Sequence, residues 1–233
     1  MKPFEVPATI EGLRDISPDK ALLLSVIRKG DNEARYYLAG LWLTEGIPYC
    51  FRLRPGLYES FRRWLAWRLN IQPKEITLIG SGRQGFCLSP GKEIGRLFAE
   101  HSDLDFTVVS SSLFFLLTST FERWSKDYSA AIVTPRTERE RFFWEANLAS
   151  VPRGIKRGLV DPHKIPTWSR YPESQKIAQI TYEAMGKLRV TPSAPNIRKV
   201  SVRVYRDWGC FIQQLATNLR ALAHSLNTSI PAG

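Results

Sequence analysis

At 233 residues the chain is long enough to bury a sizeable core, as one domain or two closely packed lobes. Hydrophobic residues at 43% and charged residues at 24% are ordinary globular values and exclude wholesale disorder. Lys and Arg outnumber Asp and Glu by 33 to 22, a net charge of +11, which suits either a soluble basic surface or an anionic partner such as RNA, DNA, a nucleotide or acidic lipid.

The first residues, "MKPFEVPATIEGLRD", hold acids and prolines where an export signal needs an unbroken apolar segment. No run reaches bilayer-spanning length, so the expectation is a cytoplasmic protein without a membrane partner. Ser17, Pro18 and Asp19 read as cap, first helical residue and first-turn acid of a helix through about Arg28, ended by Gly30-Asp31-Asn32. "ARYYLAGLWL" is apolar enough to be buried but is not typed by its pattern; as an exposed patch, residues 36–43 would suit a protein partner. Residues 57–70 place Tyr58, Phe61, Leu65 and Leu69 at helical spacing, with a basic outer side.

"EITLIG" and "LDFTVV" (Leu104 to Val109) read as buried strands. "SSSLFFLLTSTFERWSK" predicts a helix, "AAIVT" a strand, and "PRTERERFFWEANLA" a helix beginning at Pro135. Ser150 to Tyr171, broken by prolines and glycines, reads as an ordered loop. A helix from about Glu173 to Leu188, a half-buried strand "KVSVRVY" and a helix from Asp207 to about Leu226 follow. The expected division is a helical extension over 1–56 packed on a core over 57–233, with the C-terminal helical region included.

Asp103 and Asp105 flank Leu104 on the second strand. Strand side chains alternate, so both carboxylates point to one face, with backbone positions roughly 6–7 Å apart, while Leu104, Phe106 and Val108 anchor the other. Two like charges held together repel, and a divalent cation between them removes that penalty. The alternative is a turn at Ser102 and Asp103 before a core strand. Upstream, Gly80-Ser81-Gly82 ends the first strand, where glycines let backbone approach an anion and the Ser81 hydroxyl reaches phosphate oxygens.

A strand ending in Gly-Ser and a later strand carrying Ser-Asp-Leu-Asp-Phe together resemble the catalytic core of the DNA polymerase β-like nucleotidyltransferase superfamily, over residues 75–110. The resemblance implies an α/β (α+β) fold: a nucleotidyltransferase-like mixed sheet flanked by helices, with helical N- and C-terminal additions. It further implies that Gly80 and Ser81 hold an NTP's triphosphate and that Asp103 and Asp105 bind two Mg2+ ions. NMP would then pass to a hydroxyl of an RNA end, protein, nucleotide or small molecule, with roles in bacterial conflict or antiphage systems among those of small superfamily members. A degenerate protein that binds nucleotide or RNA is the alternative.

Gly82 and Arg83 join this expected nucleotide site, Arg83 or Lys92 neutralising phosphate charge. The connection over 83–101 is longer than the superfamily's compact spacing, so "LSPGKEIGRLF" is expected over or beside the site. A third carboxylate is the least legible part: Asp161 is the first candidate, Asp207 the second, because the alternate positions of "KVSVRVYRD" hold Ser201, Arg203 and Tyr205. Of the basic clusters, "RTERER" reads as an exposed salt-linked helix and "RGIKR" (153–157) as the better nucleic-acid contact. Cys50, Cys87 and Cys210 lack C-x-x-C spacing, and His101, His163 and His224 are scattered, which excludes a zinc signature.

Overall fold

The computed structural model describes residues 5–90 and 93–228. Helix α1 (Lys20–Lys29) is capped by Asp19, whose carboxylate accepts from the N–H groups of Ala21 (2.8 Å) and Leu22 (3.2 Å). That corrects the expected start at Ser17: the aspartate satisfies two donors of the first turn, and Pro18 stays outside. Asp31 caps α2 (Asn32–Tyr37), and the untyped segment continues as a π-helical turn, Leu38–Trp42. Leu38, Ala39 and Trp42 are buried there, whereas Tyr36, Tyr37 and Leu41 face solvent. Helix α3 (Pro55–Leu69) buries Tyr58, Phe61, Leu65 and Leu69, the face its spacing marks.

Strands β1 (Ile76–Ile79) and β2 (Asp103–Val109) are joined through α4, a single turn at Ser81–Gln84, and the long connection after it. Helices α5 (Ser111–Ser129) and α6 (Glu138–Lys156), strand β3 (Leu159–Val160), helix α7 (Pro172–Val190), strand β4 (Lys199–Tyr205) and helix α8 (Trp208–Thr228) complete the chain. The result is a mixed α/β architecture around a four-stranded sheet in the order β1-β2-β4-β3. β2 pairs antiparallel with β1 and parallel with β4, and β3 runs antiparallel to β4.

The sheet separates two cores. On one face Leu78, Leu104, Phe106, Val108, Val202 and Val204 pack with apolar residues of α3, α5, α6 and α7. On the other side Leu23, Ile27 and Leu38 pack against Phe211, Leu215, Leu219 and Leu222 of α8, reaching the sheet at Val109 and Tyr205.

Two further expectations are corrected. "AAIVT" is a turn rather than a strand: Ala131 takes a left-handed φ of 56°, and the N–H groups of Ile132 (2.9 Å) and Val133 (3.4 Å) donate to the Asp127 carbonyl. The end of α5 needs those donors, and the segment supplies them. Helix α6 starts at a Thr137 cap instead of Pro135, the hydroxyl accepting from Glu140 N–H at 3.1 Å. It then runs through Pro152 into the stretch expected to be a loop, held by buried Val151 and Gly154; a Cβ on Gly154 would meet the Leu159 carbonyl at 2.9 Å. No helix among the described residues is long and apolar enough to cross a membrane.

Candidate active site

Antiparallel pairing sets Ile79 opposite Asp105, so the chain leaving β1 turns directly beside the acidic strand. Gly80 adopts φ 73°, ψ −155°, a region essentially confined to glycine, and a Cβ there would stand 3.5 Å from Asp105 Oδ2. Ser81 opens α4, in which the N–H groups of Arg83 (3.0 Å) and Gln84 (3.2 Å) donate to the Gly80 carbonyl. The N–H groups of Ser81 and Gly82, first in the turn, have no carbonyl within it.

Asp103 and Asp105 share their face with alternate residues of β4, because the parallel register sets Asp103 beside Lys199 and Asp105 beside Ser201. Ser201 Oγ donates to Asp105 Oδ1 at 2.5 Å. Arg198 donates to both oxygens of Asp103, Nε at 3.1 Å and Nη2 at 3.0 Å, while its backbone N–H bonds the Ser102 carbonyl at 3.0 Å. The Asp103 carboxylate raises the Arg198 pKa. Arg198 remains 68% exposed, so this pair is weak and can open to a competing charge.

These groups line one hollow of about 420 Å³. Its floor carries Gly80, Ser81, Asp103 and Asp105; Arg96, His101, Arg198 and Arg203 stand around it; Leu43, Leu88, Leu215 and Leu219 make an apolar wall, with Asn218 beside them. The long connection folds back on itself: Cys87 N–H donates to the Arg96 carbonyl, Gly95 N–H to the Cys87 carbonyl and Phe98 N–H to the Gly85 carbonyl, each at 2.8 Å. This arm brings Leu88, Ser89, Pro90 and Arg96 to the rim. Lys92 lies outside the described residues.

Gly80, Ser81, Asp103 and Asp105 are thus brought together; Arg83 also borders the hollow, with its guanidinium engaged inward, while Gly82 packs on the sheet. Gly82 is buried, and a Cβ would meet Leu104 Cδ2 at 3.0 Å and Leu78 Cδ2 at 3.1 Å, so its lack of a side chain lets α4 lie close on the sheet. The Arg83 guanidinium, expected on phosphate, points into the protein: it donates to the Leu78 and Glu45 carbonyls and to Thr77 Oγ1 (3.0 Å). Burial lowers its pKa.

Neither candidate third acid joins the pair in this hollow. Asp161 caps a short 3-10 turn, Pro162–Lys164, its Oδ1 accepting from His163 N–H at 3.1 Å, and lines a different hollow. Asp207 caps α8, accepting from Cys210 N–H at 2.7 Å and from Arg206 Nε at 2.9 Å. Among the described residues no three His, Cys, Asp or Glu side chains converge as a metal cluster. The two aspartates still fit magnesium, which takes one or two carboxylates and completes its shell with substrate phosphates and water. Asp105 Oδ2 faces the Gly80 turn, and among the described residues the side-chain partner of the Asp103 carboxylate is the exposed Arg198.

Sequence patterning reached Ser201 and Arg203 through strand alternation. It missed Arg198, Arg96 and Asn218, which arrive from a strand entry, a loop and a distant helix without a local signal. No family model matches the chain, and neither a curated protein nor a solved structure matches it significantly.

Proposed function

We propose that this hollow, on a nucleotidyltransferase-like fold, binds a nucleoside triphosphate with magnesium and transfers its nucleoside monophosphate to a hydroxyl acceptor. The observation that carries the reading is the Gly80-Ser81 turn lying beside Asp105, on neighbouring strands that open into one cationic hollow. The base lies against Leu43, Leu88, Leu215 and Leu219, where an aromatic ring is desolvated. Ser81 Oγ and the first N–H groups of α4 orient phosphate oxygens, while Arg96, Arg198 and Arg203 offset the triphosphate's charge. Asp103 and Asp105 hold the magnesium, which when bound offsets phosphate charge and lowers the acceptor hydroxyl's pKa. The acceptor oxygen bonds the α-phosphorus, the bond to the bridging oxygen breaks, pyrophosphate leaves and the hydroxyl proton passes to solvent.

The test is magnesium-dependent release of pyrophosphate from NTPs by the purified protein, supplied with RNA ends, nucleotides and small alcohols as acceptors. Release is expected to fall to background in Asp103→Ala and Asp105→Ala, with both variants folded by circular dichroism. Release that survives in either variant overturns the reading. One observation favours a second reading, nucleotide binding without turnover: Ser201, a hydroxyl, stands on the strand beside Asp105, where the superfamily resemblance calls for a carboxylate. That reading requires nucleotide binding with no pyrophosphate from any NTP.

A further inference from the structure

At the far edge of the sheet lies a second hollow of about 570 Å³, whose polar lining is Ser150, Arg153, Lys156, Arg157, Asp161 and Lys164. Arg153 and Lys156 come from the last turn of α6, Arg157 caps its C-terminus, and Lys164 reaches across to Ser150 Oγ at 3.0 Å. Antiparallel pairing puts Leu159 opposite Tyr205 and Val160 opposite Val204. One step further, Asp161 comes level with Arg203, which lines the first hollow. Two groups report how closely the charges follow one another. The Tyr205 phenol, pushed up to about 12 by burial, is drawn back by both Arg203 and Arg157. His163 lies within reach of the charges of Asp161, Lys199, Arg203 and Asp105 together.

Among the described residues none of Arg153, Lys156, Arg157, Lys164, Lys199 and Arg203 forms an ion pair. Some basic residues elsewhere are matched, as Arg141 is by Glu138 and Arg68 by Glu183; what marks this strip is that its cations gather around one hollow and the strand beside it. Unmatched cations held in one strip repel, and a polyanion laid along them reverses that cost and releases counterions.

We infer that this strip binds the phosphate backbone of single-stranded RNA, running from the hollow beside α6 across β4 so that the strand's terminal ribose reaches Asp103 and Asp105. The strand's direction rests on the proposed nucleotidyl transfer; its binding does not. A flexible single strand can set successive phosphates on cations that come from a helix, a turn and a strand, as a rigid duplex cannot. Asp161 selects RNA over DNA. A carboxylate among four cations repels phosphate, yet it accepts a hydrogen bond from a ribose 2′-hydroxyl, and only Oδ1 is used by the His163 N–H.

Fluorescence anisotropy of the whole protein with labelled oligouridylate and the matching oligodeoxyuridylate, without NTP, is the test. Arg153→Gln combined with Arg157→Gln is expected to weaken RNA binding about tenfold at physiological salt. The slope of log affinity against log salt should fall by about 1.4, two contacts at about 0.7 each. Arg153→Lys with Arg157→Lys keeps the charge and should keep the slope. Asp161→Ala should strengthen DNA binding and shrink the preference for RNA. Unchanged affinity in the glutamine pair, or DNA bound as tightly as RNA by the native protein, overturns the inference. Absence of pyrophosphate release, with RNA binding lost only in the glutamine pair, defeats the transfer reading and leaves this one standing. RNA-stimulated release undiminished in the glutamine pair defeats this inference alone.

Discussion

Arg83 follows the Gly-Ser turn by two residues, yet its guanidinium is occupied by the Leu78 and Glu45 carbonyls and the Thr77 hydroxyl. Arg83→Met keeps the apolar stem and leaves those acceptors without donors, at about 1–3 kcal/mol each. We expect urea unfolding to show a loss of at least about 2 kcal/mol, with nucleotide affinity of the folded protein unchanged; lost affinity at native stability would return Arg83 to the phosphates. The pattern Gly-Ser-Gly-Arg gives spacing but not direction. Two residues along a helical turn differ by about 200°, so a turn that offers Ser81 to the hollow sends Arg83 inward. Asp103 and Asp105 were legible for the opposite reason: the two-residue period of a strand fixes direction once one face is known to be apolar.

At the scale of elements, α8 supplies Leu215, Asn218 and Leu219 to the hollow, and its first turn depends on Asp207. The Cys210 N–H and then the Arg206 guanidinium hold this carboxyl at about 2, below the value near 3.9 of an unfolded aspartate. A depressed carboxyl stabilises the fold fully above its unfolded pKa and loses that contribution as pH falls through the folded one. Asp207→Ala should therefore lower stability by about 1 kcal/mol at neutral pH, and the gap in melting temperature from the native protein should narrow between about pH 4 and pH 2. A gap independent of pH would show that the charge plays no part. The elements that misled sequence reading were those decided by neighbours. "AAIVT" has strand composition but serves the end of α5, and Pro152 broke a helical pattern that Val151 and Gly154 hold by burial. Runs such as "EITLIG" and "KVSVRVY", bounded by punctuating residues and apolar on schedule, folded as their pattern implies.

For the molecule as a whole, α8 and the first two helices close a single apolar core on one side of the sheet. Removing residues 1–56 strips Leu23, Ile27 and Leu38 from Phe211, Leu215, Leu219 and Leu222, leaving an uncovered apolar face. The fragment 57–233 is expected to aggregate or to lose α8 helicity, read by gel filtration and circular dichroism; a folded monomer with intact helicity would disprove this dependence. The partnership escaped sequence reading because amphipathic periodicity says that a helix has an apolar face but not which distant face covers it. Parallel strands need a long crossover, and here three helices and a short strand separate β2 from β4, so Ser201 meets Asp105 across 96 positions of chain. A nascent polypeptide that has already made its acidic strand still lacks the neighbour that seats it. The hollow comes into being only when synthesis has passed Lys199 and α8 has docked, so a partly made chain presents its two aspartates without the walls that enclose them.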